Sequence, residues 1–363
     1  MVARNAYRLL ALVSALALAY VFFPQLYTSI DYVRQTNPFS GQKYIEQAFV
    51  ASDSELACLH GVSLPSDGQT HHTHDSTADP IPNVVHFIYG LKNPLTDPGA
   101  GRFDFLNYLA VRSAIVSLKP DAIYLHYTYI SEPPSPDASA DPMTNPWVKR
   151  LSPHIKLVHH PPAPDNGTQY AHLSDTMRLQ FLLEDGGIYF DIDAFALRPF
   201  DRILAAPQPH DVVLGHEGGN RWGLCNAIIA ARANSSFVAR WLRSYEHVDF
   251  GREWNYHSVL LPKEMAAEHP DEVCALAPDA FFWPTWTWRH IDWMHEPLSR
   301  AAAEHWDREI RRHGGSLFEN QLAYHAWSQM AWDRYLRHLT PETVRGVDTR
   351  FNLLMRRFLE DDV

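Results

Sequence analysis

Cysteine is scarce in this 363-residue chain: Cys58, Cys225 and Cys274 are the full set, and no CxxC occurs. That excludes a disulfide-framed scaffold and a cysteine zinc site. It leaves room for one intrachain bridge, with Cys225–Cys274 the expected pair. A basic surplus is missing too. The net charge of −11 argues against nucleic-acid binding, because phosphate recognition needs a positive surface. No internal repeat is present, which excludes solenoids and propellers. Charged residues make up 20% and apolar residues 46%, the proportions of a globular chain rather than a disordered one. A chain this long buries the core of one large domain or two small ones.

Long apolar runs are absent but for one. Arg4 and Arg8 lead into LLALVSALALAYVFFPQLY, residues 9–27. At roughly 1.5 Å per residue that run is long enough to cross a bilayer. The basic residues before it keep 1–8 cytoplasmic and send the bulk of the chain across. Ala17-Leu18-Ala19 has the form of a signal-peptide cleavage site, but hydrophobicity continues through Val21, Phe22 and Phe23. The run therefore reads as an uncleaved anchor, with everything after it lumenal or extracellular. The acceptor sequons at Asn166 and Asn234 are compatible with that. Residues 28–80 are polar and aperiodic and read as a stem. His71, His72 and His74 resemble metal ligands, yet in a Ser/Thr/Asp-rich spacer they read as solvated.

From residue 81 the pattern changes. Strands are expected at 84–89, 122–130, 155–160 and 188–193, and helices at 103–119 and 171–185, the second ended by Gly186-Gly187. Such alternation points to an α/β domain with a mostly parallel sheet. Further strands fit 211–217 and 225–232, and helices fit 235–247, 256–268 and 297–313. The domain runs to about 340, and 341–363 reads as a C-terminal helix. The aromatic stretch FFWPTWTWRHIDWMHE, 281–296, has no clean period. It is either a packed loop or a platform whose indole faces stack on sugar rings.

The apolar run Ile188 to Phe190 ends in two carboxylates, Asp191 and Asp193. In a strand, residues two apart share a face, so the two acids would project together. Side by side they repel unless a cation or proton lies between them. Oxygen ligands of this kind suit Mn²⁺ or Mg²⁺, which complete their shells with phosphates, such as those of a nucleotide sugar. On the preceding helix, Asp175 and Arg178 lie within about 60° of each other, on the arc that carries Leu179, Leu182 and Leu183. They form a buried ion pair or sit at a cleft, positioned to bind sugar hydroxyls.

The segment LSDTMRLQFLLEDGGIYFDIDAFALRPFD resembles the sugar-binding region of the DXD-containing glycosyltransferases of family 32. It keeps Ser174, Asp175, Arg178, Gly186, Gly187, Tyr189, Asp191, Asp193 and Pro199. IPNVVHFIYG resembles that family's opening strand, with Tyr89 in place of Trp, and AYHAWSQMAW resembles its C-terminal His-x-x-x-Ser-Trp element. The resemblance implies a GT-A fold, a Mn²⁺-dependent nucleotide-sugar donor and retention of anomeric configuration. By that resemblance Asp191 and Asp193 hold the metal and donor, Asp175 and Arg178 contact the transferred sugar, and Tyr89 stacks on the nucleotide base. His325 is either a late metal ligand or a residue packed beside Trp327 in a structural helix. Glu217 and Glu319 are candidates for polar contacts in the cleft.

Family habit puts GDP-mannose first and UDP-galactose second as donor, and a glycan or glycolipid as acceptor. The expected organisation is a single-pass type II protein of the secretory pathway, Golgi first, with its catalytic domain at 81–340. Two other readings fit part of the pattern. Haloacid-dehalogenase-type phosphatases share the D-I-D-A strand end but want Thr or Val where Phe195 stands. A non-catalytic, membrane-tethered sugar-binding module would use the aromatic stretch alone.

Overall fold

The computed structural model describes residues 49–62, 80–97, 99–163, 170–205, 210–246 and 255–362, with scattered positions before 49. Its centre is a seven-stranded sheet in the order β3-β2-β1-β4-β7-β6-β8. The strands are β1 (Val84–Tyr89), β2 (Ala122–Tyr127), β3 (Lys156–His159), β4 (Gly187–Phe190), β6 (Val212–Glu217), β7 (Gly223–Ala231) and β8 (Val273–Leu276). β1 pairs in parallel with β2 and β4, β2 with β3, and β6 with β8, whereas β7 runs antiparallel to both its neighbours. The expected α/β architecture with a mostly parallel sheet is present.

Helices cover both faces, so the central strands are apolar along their whole length. Ile188 and Phe190 face the core under helix α2 (Phe105–Leu118), and Tyr189 faces the core under α4 (Tyr170–Glu184) and α5 (Ser236–Arg243). A reciprocal cap between Asp104 and Asn107 starts α2, and Lys119 in the left-handed region stops it before Pro120. Between α4 and β4 the chain turns through Gly186 and Gly187, at φ 68° and 103°. A Cβ at Gly187 would lie 2.4 Å from the Val84 carbonyl oxygen, so only glycine permits this turn against β1.

Four expectations are corrected. β4 ends at Phe190, so Asp191 and Asp193 lie in the turn beyond it, and residues 194–196 form a separate strand, β5 (Ala194–Ala196). The C-terminal segment is not one helix. It breaks into Pro341–Gly346, Arg350–Met355 and a 3-10 turn at Arg356–Phe358, because Thr349 caps a new start by accepting from the Asn352 amide at 2.9 Å. The stem is not featureless either. Helix α1 (Asp53–His60), started by a Ser52–Glu55 capping box, packs on the domain, and the Trp283 indole donates to the Ile45 carbonyl at 2.7 Å. Finally, the disulfide joins Cys58 to Cys274, with Cα atoms 5.5 Å apart, and Cys225 is a buried free thiol. Cys225 on β7 and Cys274 on β8 are separated by β6, about 9–10 Å across the sheet, beyond disulfide reach.

No helix among the described residues is long and apolar enough to cross a membrane. Within the expected span 9–27, residues 12–14, 16–18 and 20–23 are helical with exposed side chains. The rest of that span lies outside the described residues, as do His71, His72, His74 and Asn166.

The bridge closes a loop of 216 residues, which in the chain-entropy account stabilises the fold by several kcal/mol. Cys58→Ser should therefore cost about 2–5 kcal/mol in urea unfolding. Non-reducing peptide mapping should recover Cys58 joined to Cys274 and Cys225 unpaired.

Candidate active site

The C-terminal ends of β1, β4 and β6 lie at one edge of the sheet, where open α/β sheets bind ligands. A cleft of about 550 Å³ opens there. Asp191 and Asp193 enter it from a tight turn, in which the Ala194 amide donates to the Asp191 carbonyl at 2.9 Å and the Asp191 amide to Ala227 at 2.8 Å. β5 then pairs antiparallel with β9 (Ala323–His325), setting Ala194 opposite His325. That ribbon delivers His325 to the acids across 132 residues of sequence.

His325 Nε2 lies 3.1 Å from Asp193 Oδ1 and 3.8 Å from Asp191 Oδ2. One ligand atom from each of the three residues falls within 4.8 Å of the others. The imidazole meets the Trp327 ring edge-on at 4.3 Å, and its buried Nδ1 has no hydrogen-bond partner among the described residues. Both sequence readings of His325 thus have a geometric basis, though it stands on a strand rather than a helix. Two carboxylates and one imidazole, aimed at a common point, suit a divalent cation.

The protonation pattern has named causes. Burial raises the Asp191 carboxyl, helped by the neighbouring Asp193 charge and opposed by Arg178 and His325. Burial acts on Asp193 as well, but His325 and the Ser328 amide, which donates to Oδ2 at 2.8 Å, hold it well below the usual carboxylate range. Burial pulls His325 down, yet Asp193, Asp191 and Glu217 raise it above its ordinary 6.5.

Arg178 lies beside Asp191 on the same side of the cleft. Nε donates to the Ser174 carbonyl at 3.2 Å and Nη1 to the Asn226 carbonyl at 2.9 Å, with Asp191 Oδ1 3.0 Å from Nη1. Nη2 meets Ser174 Oγ at 3.0 Å and Asp175 Oδ1 at 3.2 Å. Three hydrogen bonds and two carboxylate ion pairs thereby hold the guanidinium within the protein, and it lies 4.4 Å from the Tyr189 ring centre. Asp175 also accepts from Asn226 Nδ2 at 2.7 Å. Burial raises its carboxyl, but Arg178, His172 and Asn226 prevail and bring it below its ordinary value.

Asp175, Arg178, Asp191, Asp193 and His325 therefore line one cleft. Tyr89 does not. Its hydroxyl donates to the Arg102 carbonyl at 2.7 Å, and its ring meets Phe103 edge-on. Glu217 does line the cleft, accepting from the Trp286 indole at 3.0 Å, and burial pushes its carboxyl up. Glu319 borders a different cavity, beside Arg198 and Arg202. Sequence reasoning missed Asn226, and it did not single out Ser328 within AYHAWSQMAW or Trp286 within the aromatic stretch 281–296. Asn226 had a visible signal as the one polar side chain in the strand GLCNAIIAA.

The chain matches the family described as glycosyltransferase sugar-binding region containing DXD motif over residues 111–209. It is 37% identical over 293 residues to Glucan organizing enzyme 1 of Cryptococcus neoformans var. grubii, covering 77% of this chain and 71% of that one. Among solved structures, the glycosyltransferase GlyE of Streptococcus pneumoniae is 11% identical, with a TM-score of 0.42 over 77% of this chain and 61% of that one. The PaToxG glycosyltransferase is 14% identical, with a TM-score of 0.37 over 77% and 88%. Neither structure bears on the chemistry of the site.

A cation at the three side chains must displace the His325 proton, so its affinity should rise with pH until the raised His325 value is passed. Titration calorimetry with Mn²⁺ between about pH 6 and 8 should show binding that tightens and then levels off, with proton release on the rising limb. His325→Ala should remove that pH dependence. Without metal the sign reverses. The protonated imidazole stabilises the fold below its ordinary 6.5, and that contribution is lost as pH climbs through the raised value.

Proposed function

The chain belongs to the glycosyltransferases whose sugar-binding region contains a DXD motif, and from that premise we propose a metal-dependent hexosyltransferase of the GT-A type. The observation that carries this reading is the meeting of Asp191, Asp193 and His325 at the mouth of the cleft, beside the Asp175–Arg178 pair. The donor is a nucleotide sugar, GDP-mannose first and UDP-galactose second. The acceptor is a glycan or glycolipid. The name of the Cryptococcus relative makes glucan chains the first glycans to try. Transfer proceeds with retention of the anomeric configuration.

Asp191, Asp193 and His325 would hold the ion. A mixed set of oxygen and imidazole nitrogen suits Mn²⁺ better than Mg²⁺. Bound there, the cation supplies Lewis-acid stabilisation of charge on the departing diphosphate. The protein does the rest. Asp175 binds hydroxyls of the transferred sugar, and Arg178 fixes Asp175 and Asp191 in place, reaching the sugar only by releasing one of its present partners. Ser328 and Tyr189 orient the two acids through their hydrogen bonds. Tyr89 would stack on a base only after leaving Arg102 and Phe103.

The phosphatase alternative calls for no Ser-Asp-x-x-Arg helix, whereas here Asp175 and Arg178 of that helix pair with each other and line the cleft with Asp191. A sugar-binding module without catalysis has no use for the buried Asp-Asp-His cluster. For location we propose a type II secretory-pathway protein, Golgi first, held in the membrane through residues 9–27. The Cys58–Cys274 bridge supports an oxidising compartment.

Purified full-length chain incubated with Mn²⁺ and a panel of nucleotide sugars should hydrolyse one of them, and chelator should stop it. Asp193→Ala should cut turnover at least about a hundredfold, the scale on which loss of a preorganised electrostatic contact slows a reaction. His71→Ala should change nothing. Undiminished turnover in excess chelator would sink the proposal.

A further inference from the structure

Of the four tryptophans in 281–296, three have their rings occupied. Trp283 is packed between Phe49 and His290, Trp288 lies under the Arg334 guanidinium, and Trp293 contacts Trp306 and Phe318. Trp286 differs. It is half-buried, lines the cleft, and none of the ring contacts among the described residues involves it.

Its edge is fixed by the Nε1–Glu217 hydrogen bond at 3.0 Å. The loop that carries it is held from behind: Trp327 Nε1 donates to the Pro284 carbonyl at 3.0 Å and Gln321 Nε2 to the Trp283 carbonyl at 2.9 Å. The Thr285 amide adds a bond to His290 Nδ1 at 2.9 Å. An indole clamped at its edge and bordering a polar cleft is placed to be stacked upon. Glu217 shares that wall. It is 4% exposed, and the strand order β4-β7-β6 sets it two strands from Asp191, about 9–10 Å across the sheet. The metal-binding side chains and Arg178 therefore occupy the β4 side of the cleft, and Glu217 with Trp286 the β6 side.

Resting on the transferase reading, we infer that Glu217 and Trp286 form the acceptor subsite. The indole carries the C–H face of a pyranose in the acceptor glycan, and the Glu217 carboxylate accepts a hydrogen bond from a hydroxyl of that same sugar. Both are specificity-determining residues, separate from the groups that hold the donor.

The test measures hydrolysis and transfer together, using full-length chain, Mn²⁺, the nucleotide sugar that wild type hydrolyses, and gluco-, manno- and galacto-trisaccharides. Glu217→Gln and Trp286→Ala should each raise the acceptor KM and lower the ratio of transfer to hydrolysis by about tenfold or more. Trp286→Phe, which keeps a stacking face but lacks the N–H, should lose less than Trp286→Ala. A ratio that holds in both variants, or a donor KM that rises as far as the acceptor KM, overturns the inference. Wild type that hydrolyses a nucleotide sugar but transfers to no trisaccharide overturns it alone. Wild type that turns over no nucleotide sugar overturns the transferase reading with it.

Discussion

A guanidinium taken almost wholly out of water must be answered by acceptors and counter-charge, and the cleft is organised around doing so for Arg178. Desolvating an unpaired charge costs several kcal/mol, which is recovered only where geometry and hydrogen bonds are complete. The four partner residues come from one helix, one strand and one turn: Ser174 and Asp175 on α4, Asn226 on β7, and Asp191 beyond β4. One side chain thus sets the distance between the helix that bears Asp175 and the turn that bears Asp191. Removing it would leave Asp175 buried without its main counter-charge.

The same constraint divides the work between the two acids. Asp191 answers Arg178 and Tyr189 and borders the opening, and its carboxyl sits above its usual value. Asp193 lies deeper, pinned by His325 and the Ser328 amide, and stays strongly acidic. The His325 imidazole, whose proton both acids favour, sets positive charge beside two carboxylates that would otherwise repel.

Much of this was legible in the chain, and the failures have physical causes. Apolar runs between turn residues located β1 to β4, α2 and α4, because strands covered on both faces must be apolar and a helix buried nearly all round, as α2 is, reads as a long apolar segment. The pairing of Asp191 with Asp193 was inferred from strand periodicity, although they meet in a turn whose backbone hydrogen bonds do the same work. Tyr89 was placed at a base-stacking position because it ends β1, but the loop after it returns to take its hydroxyl at Arg102. Cys58 was overlooked as a disulfide partner because α1 is short and lies in polar sequence, where no period announces a docked helix. Trp286 could not be distinguished from its three neighbours, since only the loop's tertiary hydrogen bonds decide which indole faces the cleft.

The docked stem helix also bears on the cleft. Arg221, in the turn that follows β6, donates from Nη2 to Glu55 of α1 at 2.8 Å and to the Val50 carbonyl at 2.9 Å. Burial raises the Glu55 carboxyl, but Arg221 outweighs it and keeps it ionised. The disulfide fastens the same helix to β8, which pairs with β6. The strand that ends in Glu217 is therefore braced twice by the segment that leads toward the N-terminus, once by a covalent bond and once by a buried ion pair. β4 and its acids depend instead on Arg178 and the β5–β9 ribbon. The stem braces the β6 wall directly and the acids only through it, so a perturbation of the stem should be felt first on the Glu217 side and only afterwards at the Asp-Asp-His cluster.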